Sequence, residues 1–333
     1  MDIITHALLS FTLTRGFLAR GGWPLAAGMI AAGTLADVDL FSIWFGPPAY
    51  LAWYRTCTHS VVAAVVIAAI GCLIAVALGG KAKQTLTGFL LASSLAAAMH
   101  LLLDVCQSDG ATLLWPLRTR RFAADLLPGF DPWILALLIA GIALPELFRL
   151  VGSEIGAKEK APRGRNGAIV ALALIAVYCG TRYTLHSNGV AALDAHTYHG
   201  ESPRRLGAFP DTLSIFKWHG VVETPSMLCQ AEVPVGPDGR FDAETAICQH
   251  KPESSPELTA AQQTDPVRMF QKATRFPRAT VERMPDGYEV LIRSLEGSPA
   301  ENSGRRVAAR ILLSEDAKVR SEELVWASEL RRR

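Results

Sequence analysis

Long apolar runs in the first half of the chain constrain its fold more than any other feature. Six runs with few or no charges approach the roughly 20 residues that a helix needs to cross a membrane. They cover about residues 3–19, 23–43, 60–80, 85–105, 132–150 and 167–186. The first run is short, so a half-buried or tilted element is an alternative for it. These runs predict an α-helical membrane protein with about six transmembrane helices and a transmembrane domain over residues 1–186.

After Ser187 the composition changes to a mixed polar sequence. A Pro-Asp-Gly turn at 285–287 separates two alternating runs that are typical of a β-hairpin. The stretch 255–276 has helical spacing, with Pro266 as a break or the start of a second helix. Residues 187–333 are therefore predicted to form a soluble, mainly β domain of α+β type, in which Cys229 and Cys248 are candidates for a disulfide.

Basic residues in short loops predict the orientation of the chain in the membrane. They occur in the first loop, in the loop between runs three and four, and in the loop between runs five and six: Arg15, Arg20, Lys81, Lys83, Lys158, Lys160, Arg163 and Arg165. If these loops are cytoplasmic, the N-terminus and the C-terminal domain are extracytoplasmic. Arg118, Arg120 and Arg121 fall on the external side and oppose this assignment. No basic segment precedes the first run, so it lacks the basic start of a cleavable signal peptide. The run is therefore expected to remain part of the protein, which is predicted to be a multi-pass inner membrane protein.

The distribution of charge along the sequence indicates which binding partners to expect. The formal net charge is +2, and no basic patch with interleaved aromatic residues is evident in the sequence. Nucleic acid is therefore not an expected partner, and the sequence indicates no particular protein partner.

Seven ionisable residues stand out against this apolar background. The first 105 residues contain no Glu, and their only Asp and His residues are Asp2, His6, Asp37, Asp39, His59, His100 and Asp104. The predicted topology places all of them at the outer ends of their helices. That topology depends on hydropathy and loop charge alone, and these seven residues do not enter it. The convergence of their side chains on one membrane face is therefore an independent result.

The spacing of these residues suits metal binding. Asp2 with His6, and His100 with Asp104, are four residues apart and share a helix face. Asp37 and Asp39 are two apart, so the helix is expected to unwind or end there. A divalent cation relieves the repulsion between buried carboxylates. Zinc is the first choice, with manganese or magnesium as alternatives, and seven ligands suit two ions or one ion with an outer layer of supporting residues.

Other interpretations of the same residues are helix–helix hydrogen bonds and a proton or ion pathway. A pathway predicts polar residues spread through the depth of the membrane, and the apolar run after Ser60 offers none. A non-enzymatic alternative is a structural metal clamp with an outer domain that binds a partner.

The ordered motifs resemble a known family. They are MDIITHALLS at the start, LADVDLF at 35–41, RTCTHS at 55–60, HLLLD at 100–104 and LLWPL at 113–117. Together they resemble the YdjM-like family of membrane-bound, predicted metal-dependent hydrolases over about the first 130 residues. Where that family commonly has Leu-Pro-Asp, this chain has Leu35, Ala36 and Asp37. A looser similarity is to the zinc-dependent phospholipase C and P1 nuclease group.

The resemblance and the residues together predict a hydrolase that acts on a phosphoester or lipid-linked substrate at the outer membrane face. The three histidines are expected as neutral ligands, and Asp37 or Asp39 as a general base. Arg55 and Arg182 are candidates for binding a substrate phosphate. The alternative is that both arginines lie at the membrane interface and extend their charged ends into water.

Overall fold

The structure is a computed structural model of the 333-residue chain. It describes residues 1–18, 22–79, 85–154, 164–237, 239–297 and 306–330. The chain divides into two compact units. The first contains Met1–Asp39 and Arg55–Arg182, and the second contains Leu40–Tyr54 and Tyr183–Arg333. The domain limits 1–186 and 187–333 stay a prediction.

Helices form the first half of the chain. They are α1 (Ile3–Phe17), α2 (Gly22–Thr34), a 3-10 helix (Leu35–Phe45), α3 (Pro47–Trp53), α4 (Val61–Ala77), α5 (Leu86–Cys106), α6 (Pro132–Glu154) and α7 (Arg165–Asp194). Several of these helices are capped by the side chain of the residue that precedes them, as Thr85 caps α5. Asp131 caps α6, because its side chain accepts hydrogen bonds from the backbone of Trp133 and Ile134.

Four helical stretches among the described residues are long and apolar enough to cross a membrane. They are Gly22–Phe45, Leu86–Cys106, Pro132–Val151 and Arg165–Asp194. The helix Val61–Ala77 is apolar but shorter, and α1 has 15 residues. A helical membrane region is thus present, whereas a count of about six spans is not confirmed.

The first unit packs α2 against α4 through small residues. A Cβ added to Gly28 would lie 2.5 Å from the carbonyl oxygen of Gly71, and one added to Gly71 would lie 2.6 Å from that of Gly28. Only residues without side chains allow two helix backbones to approach so closely. This contact holds α2 in place beside α4.

Most of the basic residues that predict the orientation of the chain in the membrane lie in parts of the loops that the structure does not describe. Arg20, Lys81, Lys83, Lys158, Lys160 and Arg163 lie outside the described residues. The location of the two termini relative to the membrane therefore stays a prediction.

The second unit contains two antiparallel four-stranded sheets, which agree with the predicted β-rich tail. The first consists of β1 (Arg205–Pro210), β2 (Lys217–Glu223), β3 (Met227–Pro234) and β4 (Ile247–His250). The second consists of β5 (Pro277–Met284), β6 (Gly287–Ser294), β7 (Val307–Leu313) and β8 (Val319–Trp326). Strands that are neighbours in sequence also pair in each sheet, so both sheets are simple meanders.

Local predictions for the second unit are confirmed. The Pro-Asp-Gly turn joins β5 to β6, with Met284 opposite Gly287. The helical stretch divides into α8 (Pro256–Gln262) and α9 (Asp265–Ala273), and Pro266 is in the first turn of α9. A disulfide joins Cys229 to Cys248 across β3 and β4. Within the same unit, α3 packs on α9 and β8.

Candidate metal centre

Four segments of the first unit supply the residues at the centre. His6 lies on the first turns of α1, which Asp2 caps by accepting a hydrogen bond from the backbone of Thr5. The α-helix α2 ends at Thr34, and Asp37 follows in the 3-10 helix, so the predicted unwinding at this point is confirmed. His59 directly precedes Ser60, the cap of α4. The remaining two residues, His100 and Asp104, lie in the last turns of α5.

Three of these side chains converge on one point. The Nε2 atoms of His59 and His100 are 3.2 Å apart. The Oδ2 atom of Asp104 lies 3.0 Å from Nε2 of His59 and 3.1 Å from Nε2 of His100. This close approach of two imidazole nitrogens and a carboxylate oxygen is the arrangement that a shared cation produces.

Asp37 and His6 complete the group. The Oδ1 atom of Asp37 is 3.8 Å from Nε2 of His59 and 3.9 Å from Nε2 of His100. The ring of His6 stacks on that of His100, with ring centres 3.8 Å apart. One ligand atom from each of His6, Asp37, His100 and Asp104 lies within 4.8 Å of the other three, and all four residues are buried.

Hydrogen bonds behind the histidines determine which nitrogen faces the centre. Nδ1 of His100 is 2.8 Å from the carbonyl oxygen of Gly33, which can only accept. Nδ1 of His100 therefore carries the proton, and Nε2 presents a lone pair. Nδ1 of His59 lies 2.9 Å from Oδ2 of Asp39 in the same way. A carboxylate or carbonyl behind a histidine is the usual support for a metal ligand.

The residues present fit a divalent cation on two grounds. First, the two Nε2 atoms face each other at 3.2 Å, and two imidazoles adopt this arrangement only with a proton or a cation between them. Second, Oδ2 of Asp37 is buried and has no hydrogen-bond partner among the described residues. Buried polar atoms without partners are costly, and metal coordination would remove that cost.

The electrostatics of His59 point the same way. Burial lowers the pKa of this histidine, but its contacts with the carboxylates of Asp104, Asp37 and Asp39 outweigh burial and raise the pKa to about 10. The three carboxylates therefore favour positive charge at this position, so His59 of the metal-free protein carries a second proton that a divalent cation would displace.

Asp2 and Asp39 occupy different positions from the other predicted ligands. Asp2 uses its carboxylate to accept hydrogen bonds from the backbone and the hydroxyl of Thr5. Asp39 accepts from the backbone N–H of Arg55 at 2.8 Å and from the hydroxyl of Thr58. The structure thus places Asp39 behind His59, where it orients the ring, and the ligand role of both aspartates stays a prediction.

Arg55 lies inside the protein, 1% exposed. Its guanidinium donates to Oδ1 of Asp104 at 3.1 Å and to the side chain of Gln107. The N-terminal amino group of Met1 also contacts Oδ1 of Asp104. Cations therefore occupy one oxygen of this carboxylate, while the other faces the histidines. Arg55 is placed to hold Asp104, and its predicted contact with a substrate phosphate stays a prediction.

Sequence reasoning missed Gln107 and Gly33. Gln107 is fully buried, accepts from Arg55 and donates to the carbonyl oxygens of Pro128 and Gly129. Gly33 contributes only its carbonyl oxygen. A backbone acceptor leaves no signal in a single sequence. Gln107 had only a weak one, because it follows His100 and Asp104 at the end of the same helix.

Arg182 is also buried, 1% exposed. Its Nε donates to the carbonyl oxygen of Leu126 at 2.9 Å, and its guanidinium lies over the ring of Tyr178. The hydroxyl of Tyr178 in turn donates to Asp131. These contacts place Arg182 among residues that join the start of α6 to α7, and a contact with a substrate phosphate stays a prediction.

A comparison with known families covers the part of the chain that forms the candidate centre. The model of a family described as YdjM inner membrane protein matches residues 1–188. The chain belongs to this family. The YdjM match covers every segment that contributes to the centre, together with the apolar helices, and it places the protein in the inner membrane. No curated protein and no solved structure matches the chain.

Proposed function

We propose that this YdjM family member is a membrane-bound metal-dependent hydrolase that acts on a phosphoester or lipid-linked substrate at the outer face of the membrane. The observation that carries the proposal is the convergence of His59 Nε2, His100 Nε2 and Asp104 Oδ2 within 3.2 Å of one another. The predicted extracytoplasmic N-terminus supports the location of the centre.

The residues of the centre have separate roles in this proposal. His6, His59 and His100 hold a cation as neutral ligands, and Asp37 and Asp104 hold it as anions. Zinc accepts this mixture of nitrogen and oxygen, and manganese or magnesium are alternatives where oxygen ligands dominate. Five ligands exceed the four of one tetrahedral zinc, which favours two ions. A divalent cation at this position supplies Lewis acidity toward water and neutralises charge on a phosphoryl oxygen.

Asp37 is the residue best placed to handle a proton. It is 7% exposed, whereas Asp104 is fully buried, and its Oδ2 has no hydrogen-bond partner among the described residues. A carboxylate oxygen without a hydrogen-bond partner beside the centre accepts a proton from water and releases it to a leaving group. Arg55 holds Asp104 in place, and Asp39 holds His59, so neither needs to contact the substrate.

Metal content of the purified protein in detergent tests the proposal, together with hydrolysis of phosphatidic acid and of a chromogenic phosphodiester. Wild type is expected to hold stoichiometric metal, and His100→Ala and Asp104→Ala are expected to lose it together with hydrolysis. His196→Ala is the matched control, because His196 is an exposed histidine outside the centre. Wild type that takes up neither zinc nor manganese contradicts the proposal.

A structural clamp is the second candidate, and the burial of the ligands favours it. His59 and Asp104 are fully buried, and closed coordination is typical of structural metal sites. This candidate predicts tightly held metal, no hydrolysis, and a partner for the second unit. Metal-dependent turnover of any phosphoester contradicts it.

A further inference from the structure

A groove of about 410 Å³ lies between α4 and α5. Its lining is apolar except for Ser94. Ala64 on α4 and Ala98 on α5 are among its lining residues, and their small side chains leave the space open. Membrane helices usually close such gaps with larger side chains or closer packing, so an open groove between two apolar helices is a candidate site for an apolar chain.

Residues that line the groove are neighbours in sequence of three residues of the metal centre. Val61 of the groove follows His59 by two residues, while Leu101 and Val105 directly follow His100 and Asp104. Consecutive residues on a helix differ by about 100° in direction, so Leu101 and Val105 lie at the same depth of α5 as His100 and Asp104, on an adjacent face. The backbone N–H of Val61 also donates to the carbonyl oxygen of Leu113, another lining residue, at 3.0 Å.

The outer walls of the groove face away from the protein. Val61 is 52% exposed and Leu102 is 53% exposed, whereas Leu101 on the inner wall is 8% exposed. In an inner membrane protein, exposed apolar side chains on such helices contact lipid tails. The groove is therefore open to hydrocarbon on one side, and its lining residues Leu101 and Val105 directly follow two residues of the charged centre. A molecule with an apolar chain and an anionic end has the matching distribution of polarity.

We propose that the groove between α4 and α5 holds one acyl chain of a phospholipid whose phosphate lies at the metal centre. This inference rests on the proposed function, because it names the substrate class of the same centre. Lipid tails are as apolar as the groove, so transfer of the chain from the bilayer gains little affinity. The bound acyl chain instead positions the lipid. It holds the phosphoester beside the metal ligands, which raises the effective concentration of the reacting group.

Photocrosslinking tests occupancy without requiring catalysis. The probe is phosphatidic acid with a diazirine in one acyl chain, incorporated with the full-length protein into phosphatidylcholine vesicles. Wild type is expected to be labelled on α4 and α5 along the groove. Ala98→Phe fills the groove and is expected to reduce that labelling at least about fivefold. Ala136→Phe is the matched control, because Ala136 is an exposed alanine on α6, which does not line the groove.

Two further measurements keep the result interpretable. Metal content serves as the check on folding. Ala64→Phe fills the groove from the opposite wall, and it replaces Ala98→Phe if Ala98→Phe loses metal. Diacylglycerol with the same diazirine has no phosphate, and it is expected to label the groove less than phosphatidic acid does. Equal labelling by the two probes, or unchanged labelling in both groove-filling variants, overturns the proposal.

Hydrolysis separates this inference from the proposed function. Ala98→Phe is expected to lower kcat/KM for long-chain phosphatidic acid at least about tenfold, while hydrolysis of a water-soluble chromogenic phosphodiester is unchanged. If wild type labels in the groove but hydrolyses neither substrate, the lipid site stands and the hydrolase fails. If wild type hydrolyses both substrates and Ala98→Phe matches it on each, the hydrolase stands and the groove proposal fails.

Discussion

His100 donates a hydrogen bond from Nδ1 to the carbonyl oxygen of Gly33 over 2.8 Å. This contact joins α5 to α2 one residue before α2 ends, and it leaves Nε2 of His100 directed at His59 and Asp104. The protonation pattern of the candidate centre therefore depends on a backbone atom of a neighbouring helix. Residues that only support the ligands should accordingly have measurable effects on metal binding.

Asp39→Asn tests the support behind His59. An amide in place of the carboxylate offers a weaker acceptor to Nδ1 of His59 and disturbs the bond from the backbone of Arg55. Metal affinity is expected to fall about 10- to 100-fold, with stoichiometry restored at saturating metal. Competition with a metallochromic chelator measures this. Asp109→Asn is the control, since Asp109 is exposed on the loop after α5, and equal affinities in the two variants would exclude the supporting role.

Arg55→Met tests whether Arg55 compensates the charge of Asp104. Arg55 has a φ of 56°, and methionine meets the same backbone cost there, so the change isolates the guanidinium. The variant leaves the buried carboxylate of Asp104 with the amino group of Met1 but without its guanidinium partner, and breaking a buried pair is expected to lower the free energy of unfolding of metal-free protein by about 3–5 kcal/mol. Added metal supplies positive charge, so the rise in Tm on adding zinc should be larger than in wild type.

Lys217→Met is the control for that measurement. Lys217 in the second unit pairs with Glu232 at 3.0 Å, but its side chain is 56% exposed. Surface pairs contribute only about 0–1 kcal/mol, so this variant should resemble wild type with and without zinc. If Arg55→Met behaves like Lys217→Met, Arg55 does not hold Asp104.

Gly71→Ala tests the contact between α2 and α4. The added Cβ meets the carbonyl oxygen of Gly28 at 2.6 Å and Cβ of Ala32 at 2.8 Å, and backbone atoms cannot rotate away. A cost of about 1–3 kcal/mol in the free energy of unfolding is expected, measured by Tm in detergent. Gly180→Ala, where no atom lies within 4 Å of the added Cβ, should not destabilise the protein. Equal Tm values would show that the helices separate without cost.

Glu201→Gln tests acid sensitivity in the second unit. Hydrogen bonds from Thr224 and from the backbone and hydroxyl of Ser226 lower the pKa of Glu201 to about 2, from an ordinary value of 4.5. A lowered pKa adds stability above pH 4.5, and that stability is lost as pH falls toward 2. The variant is therefore expected to be less stable than wild type at pH 7, with a difference that shrinks between pH 4.5 and 2.

Denaturation of the full chain at a series of pH values, followed by near-UV circular dichroism, measures that difference. Glu315→Gln is the control, because Glu315 is exposed in the turn before β8. A gap between Glu201→Gln and wild type that stays constant over this pH range would contradict the assignment.

The sequence by itself determined several features because they depend on local patterns. Apolar runs marked the helices, the Pro-Asp-Gly turn marked the β5–β6 hairpin, and Pro266 marked the start of α9. The four-residue spacing of His100 and Asp104 correctly placed both on one helix face, with Nε2 and Oδ2 3.1 Å apart. The scarcity of Asp and His in apolar helices was enough to identify candidate ligands, because ionisable groups are costly there.

Only the tertiary structure decided how those candidates divide between the centre and its support. His6 and Asp37 enter the group with His100 and Asp104, whereas Asp39 lies behind His59. Which atoms meet depends on how separate segments pack and which way each side chain points, and spacing within one segment does not contain that information. The same holds for the carbonyl of Gly33, which reaches His100 only because small residues let α2 pack closely within the first unit.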